Sequence, residues 1–103
     1  MSEERLFSRP VDISQLKQLA ELLTAAGIQF EWRDVPELGG AEIKVPSMRE
    51  WIEHGGISVI CWNGTYGAEK GLLECWAKTL REREPVGWMT AEEVFEKIKG
   101  AGL

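Results

Sequence analysis

The stretch Asn63-Gly64-Thr65-Tyr66-Gly67 carries the residue types best suited to holding a small ligand. It follows the apolar run Ile57 to Trp62 and precedes Leu72, Leu73, Trp76, Ala77 and Leu80, which recur at helical spacing, so it reads as a strand-to-helix turn. At such a junction, backbone N–H groups and the positive end of the helix dipole favour a phosphate or carboxylate. Asn63, Thr65 and Tyr66 add side-chain donors and Lys70 adds a positive charge. The candidate ligand set is therefore Asn63, Gly64, Thr65, Tyr66, Gly67 and Lys70, suited to a nucleotide-type signal whose base stacks on a tryptophan. Two features oppose it: no Gly-Lys-Ser or Gly-x-Gly-x-x-Gly pattern is present, and Glu69 already places negative charge in the first turn. The other reading is a plain turn, with Gly64 and Gly67 supplying only backbone freedom.

Nucleophilic or metal chemistry needs converging His, Cys or carboxylate groups, and the chain has one histidine and two cysteines, none at ligand spacing. His54, beside Gly55-Gly56, reads as a surface or turn histidine. Glu69 and Glu74 are five positions apart, about 140° around a helix, and form no acid/base pair. Cys61 and Cys75 lie in apolar segments and read as reduced core thiols. No catalytic residue, metal or cofactor is assigned, and a non-enzymatic protein is expected.

Five tryptophans are the other unusual feature. Trp32 and Trp76 fall on core stripes, where each ring buries about 150–250 Å². Trp51, Trp62 and Trp88 have no obvious place in a one-sided core, and Ile60 and Trp62 share the second face of their strand. Trp62, Ile60, Trp51 and Trp88 are the candidate partner-binding residues, for another protein or for a second copy in a homodimer, because tryptophan is prominent among binding hot spots. Aromatics tucked over a sheet edge as satellite packing are the competing explanation.

The elements that must position these residues follow from periodicity. Residues 1–11 read as a loosely held arm and 12–103 as a single domain. Asp12 or Ser14 caps a helix to about Ala26, with Ile13, Leu16, Leu19, Ala20 and Leu23 as its stripe and Gly27 as its stop. Ile28, Phe30 and Trp32, then Ala41, Ile43 and Val45, alternate with polar residues, so an antiparallel hairpin with one wet face is predicted. Ser47 to His54 is a short connection with a capping-box spacing at Ser47 and Glu50. A third strand, Ile57 to Trp62, is apolar on both faces. A long helix over about Gly67 to Arg83 and a final one capped at Thr90-Ala91-Glu92-Glu93 complete the chain. The predicted class is α+β: a small, mainly antiparallel three-stranded sheet with helices on one face, in the order α-β-β-β-α-α.

A net charge of -5 argues against gripping a nucleic-acid duplex through its phosphates. No stretch approaches the roughly 20 apolar residues of a membrane span. The charged start Met1-Ser2-Glu3-Glu4-Arg5 lacks a secretory pattern, so the cytoplasm is the expected location, and the glycosylation-like Asn63-Gly64-Thr65 is accidental there.

Three segments, Asn63-Gly64-Thr65-Tyr66-Gly67, Gly71-Leu72-Leu73-Glu74 and Gly87-Trp88-Met89-Thr90-Ala91-Glu92-Glu93-Val94-Phe95, resemble a group of short phage and prophage proteins. Those proteins carry a Ser-Tyr-Gly-like turn, a Gly-Leu-Leu-Glu helix and a closing Leu-Thr-Ala-Glu-Asp-Val-Phe-like segment. Thr65 stands where that pattern has Ser, and Met89 where it has Leu. The resemblance covers about the C-terminal half. It implies a protein acting in a host cytoplasm by binding and blocking a host component, commonly a defence factor.

Overall fold

The computed structural model describes residues 9–103. Its helices are α1 (Ser14–Ala25), α2 (Met48–His54) and α3 (Ala91–Gly100), and its strands are β1 (Glu31–Val35), β2 (Gly40–Val45), β3 (Ile57–Cys61), β4 (Leu73–Ala77) and β5 (Val86–Met89). Short 3-10 turns occupy Pro36–Leu38, Ala68–Lys70 and Lys78–Leu80. The class is α+β and the sheet is antiparallel, as expected. It has five strands in the order β1-β2-β3-β4-β5 instead of three, and the element order is α-β-β-α-β-β-β-α instead of α-β-β-β-α-α.

The difference arises at 67–83, where a strand replaces the predicted helix. Leu73, Cys75 and Ala77 are buried while Glu74 and Trp76 between them are half-buried, so the working period is two. Gly67 and Gly71 both take left-handed backbone angles, which interrupt any helix through this segment. The sheet then gains β5, which pairs Leu73 with Met89 and Cys75 with Val86.

The main core lies where α1 and α3 cover one face of the sheet. Leu16, Leu19 and Leu23 of α1 and Val94 and Ile98 of α3 are fully buried against Ile43, Val45, Ile57 and Val59. Each such side chain contributes roughly 1.5–3 kcal/mol by leaving water. Asp12 holds the start of α1 by accepting from the Ser14 amide at 2.9 Å. At α3 the capping box is complete, with Thr90 Oγ1 accepting from Glu93 N at 3.2 Å and a Glu93 carboxylate oxygen accepting from Thr90 N at 3.0 Å.

The second face was expected to be wet on the hairpin and free of helices, and both expectations are corrected. Ser47 Oγ accepts from Glu50 N at 3.1 Å, starting α2, and α2 places Trp51 edge-to-face against Trp76 with ring centroids 5.8 Å apart. Trp76 therefore belongs to this second face and not to the main core. Across the sheet, one row reads Glu31, Lys44, Ser58, Trp76 and the next reads Arg33, Glu42, Ile60, Glu74. Glu42 and Lys44 are only 2% and 5% exposed. Glu42 is bound by both Lys44 and Arg33, and Lys44 Nζ donates to Ser58 Oγ at 2.7 Å.

Of the predicted arm, residues 1–8 lie outside the described residues. The remainder is held, because the Val11 amide donates to Gly39 O at 2.9 Å and Asn63 Nδ2 donates to Arg9 O at 2.6 Å.

Candidate functional site

The loop joining β3 to β4 starts with a tight turn closed by Thr65, whose amide and hydroxyl both donate to Trp62 O, at 3.1 and 2.9 Å. The junction is strand-to-strand and not strand-to-helix, so the helix-dipole part of the anion-site expectation has no basis. Asn63, Gly64, Thr65, Tyr66 and Gly67 nevertheless line one cavity of about 280 Å³ together with Val11, Ala68, Glu69 and Trp88, whereas Lys70 lies outside its lining. Several expected donors already serve the fold. Asn63 Nδ2 donates to Arg9 O and to Leu38 O, and the Tyr66 amide donates to a Glu74 carboxylate oxygen at 2.9 Å.

Trp88 enters the site through an irregularity in β5. One residue separates Leu73 from Cys75 while two separate their partners Val86 and Met89, so β5 carries a bulge. Trp88 sits in it with φ of 60°, a left-handed conformation that favours glycine. Its amide donates to Tyr66 O at 3.1 Å. Glycines allow the loop and strand to lie this close: a Cβ at Gly87 would fall 2.2 Å from Tyr66 Cβ, and one at Gly67 would fall 3.0 Å from Trp88 Cα. The result is an exposed group of Tyr66 (63%), Val86 (44%) and Trp88 (48%) at a sheet edge.

The strained backbone at Trp88 has a measurable consequence. Glycine in a strand is ordinarily less stable than alanine by roughly 0.5–1 kcal/mol. At position 88 the order reverses: Trp88→Gly is expected to be more stable than Trp88→Ala by about 1 kcal/mol in urea unfolding, because alanine keeps the left-handed penalty.

The other candidate residues are placed differently. Trp51 is half-buried against Trp76, with Lys78 Nζ 4.2 Å from its ring centroid and 4.8 Å from that of Trp76. Ile60 is half-buried between Glu42 and Glu74, and Trp62 is half-buried just beyond β3. Comparison with family models, curated proteins and solved structures finds no match. The patch must therefore be interpreted from its own chemistry.

Neither cysteine is an activated nucleophile. Burial pushes the Cys75 thiol up to about 12, and burial followed by the Asp12 charge pushes Cys61 up to about 11. Both thiols are free and buried, as the sequence implied. A disulfide reagent at pH 8 should leave both unlabelled in the folded chain and label both in urea; rapid native labelling of either would contradict their burial. His54 is exposed on α2, with Nδ1 3.2 Å from a Glu50 carboxylate oxygen. Among the described residues, no group of three His, Cys, Asp or Glu side chains is arranged to hold a metal ion, and no helix is long and apolar enough to cross a membrane. Neither β5 nor its bulge has a strong linear signal, because Val86-Gly87-Trp88-Met89 is short and contains a glycine.

Proposed function

We propose that the chain is a non-enzymatic interaction protein that binds another protein through the surface formed by Tyr66, Val86 and Trp88. The single observation carrying this reading is Trp88: a large, half-exposed indole kept in a left-handed bulge at a sheet edge. Bulges re-aim side chains at edges, and strain of this kind concentrates at functional positions. A scattered exposed residue such as Ile52, 73% exposed on α2, needs no such explanation, because single apolar side chains are normal on surfaces. Tyr66 and Trp88 line one cavity and are joined by the Trp88 amide donating to Tyr66 O, and the exposed Val86 lies on the same edge strand as Trp88.

The resemblance to short phage and prophage proteins supplies the setting: a host component is the partner and obstruction of that component is the effect. The surface centres on Trp88, with Tyr66 and Val86 in place of Trp51, whose ring serves the internal packing of the second face. Affinity capture from a host lysate with the wild-type chain and with Tyr66→Ser/Trp88→Ala tests the proposal. A protein retained stoichiometrically by the first and lost with the second, at unchanged cooperative folding, supports it. Equal retention by both removes the patch from consideration. Sedimentation of the free chain, in parallel, identifies the case in which the partner is a second copy.

A further inference from the structure

We infer that the cavity beside Trp88 receives the positively charged end of an arginine or lysine side chain from the partner protein; this deepens the reading above and rests on it. The cavity is lined by two aromatic side chains, Tyr66 and Trp88, and by the carboxylate-bearing Glu69, and no basic residue lines it. Among the described residues, Glu69 forms no ion pair. Aromatic faces carry negative potential and attract guanidinium and ammonium groups, an attraction that a nearby carboxylate reinforces.

The chain contains its own example of this chemistry. On the second face of the sheet, the aromatic pair Trp51 and Trp76 is occupied by Lys78, with Nζ within 5 Å of both ring centroids. Among the described residues, no cation lies over the Tyr66 or Trp88 ring. An incoming basic side chain would take that place in the cavity the two rings line. The cavity volume, about 280 Å³, lies just below the ~300–1,000 Å³ range of pockets that enclose drug-sized ligands, so it suits one side chain better than a nucleotide. Charge acts in the same direction, since Glu69 and the net charge of -5 repel a phosphate and attract a basic partner.

The test uses the full chain and two small probes, N-acetyl-arginine methylamide and its uncharged norleucine counterpart, followed by chemical shifts of backbone amides and indole N–H groups. The arginine probe should move the Trp88 indole and the Gly67 and Ala68 amides saturably. Glu69→Gln should weaken this response about three- to tenfold and Glu69→Lys should abolish it, both with unchanged melting because Glu69 is exposed. Equal binding of the norleucine probe, absence of any saturable shift, or stronger movement of the same resonances by adenosine monophosphate would overturn the inference. Partner capture by the Glu69→Lys chain separates the two readings. Capture lost with Trp88→Ala but retained with Glu69→Lys overturns the cation site alone, whereas capture indifferent to Trp88→Ala overturns the patch itself.

Discussion

Replacing Glu42 by glutamine should lower the unfolding free energy by about 3–5 kcal/mol, a large share of what holds so small a domain together. Glu42 is 2% exposed and accepts from both Arg33 and Lys44, and Lys44 is itself 5% exposed. The glutamine removes the charge that makes a buried ammonium tolerable while leaving that ammonium in place. Lys44→Met should be milder, because Glu42 keeps Arg33, whose side chain is mostly in water. The double change Glu42→Leu/Lys44→Met should recover most of the loss, since replacing a buried pair by apolar groups is often neutral or stabilising. Urea unfolding of the three variants measures the coupling directly. A loss below about 1 kcal/mol for Glu42→Gln would mean that water reaches this face of the sheet.

The same group sets an acid limit. Burial, the largest influence, pushes the Glu42 carboxyl up, but hydrogen bonds from Lys44 and Arg33, with their charges, outweigh it and hold the group below its usual value of 4.5. Its contribution to stability is therefore present above that value and is lost as pH falls through the lowered folded-state pKa. For Lys44, burial lowers the pKa more than Glu42 raises it. Stability from that group should rise with pH between the lowered folded-state value and 10.5.

The second large effect concerns binding and leaves the network intact. Trp88→Ala should weaken the partner complex at least about 30-fold, the size associated with an interfacial tryptophan hot spot, and Tyr66→Ala about tenfold. Trp51→Ala provides the contrast. It removes an edge-to-face ring contact and the Lys78 contact on the second face, so it should destabilise folding without changing affinity for the partner. Isothermal titration on the three variants separates these outcomes. If Trp51→Ala weakens binding as much as Trp88→Ala does, the contact surface is on the α2 side of the sheet.

Several elements were legible in the sequence because local rules and tertiary packing agree there. The α1 stripe of Leu16, Leu19 and Leu23 is buried as its spacing implies, and Thr90 and Glu93 form the capping box their separation announces. The alternation of Ala41, Ile43 and Val45 was read correctly, but its polar side was misjudged. Glu42 and Lys44 look solvated in sequence but are buried on the second face, where Glu42 is bound by Arg33 and Lys44, and Lys44 lies against Ser58 and the Trp51 ring of α2. The segment from Leu72 to Leu80 satisfies two periods at once. Leu73, Trp76, Ala77 and Leu80 fit a helix, while Leu73, Cys75 and Ala77 fit a strand, and pairing with β3 and β5 selects the strand. At the candidate site, the loop residues were found by composition, but the dipole argument was tied to a helix that does not form. Trp88 joins the cavity through strand pairing and a bulge, a juxtaposition with no linear signature.

Hydroxyl-radical footprinting of the free chain against its captured complex tests the contact surface most directly. Protection of Trp88 and Tyr66, with Ile52 and His54 on α2 labelled as strongly as before, is the result expected from the exposed patch at the β5 edge. Protection of Ile52 and His54 with Trp88 still fully labelled would place the partner on the opposite element and contradict it.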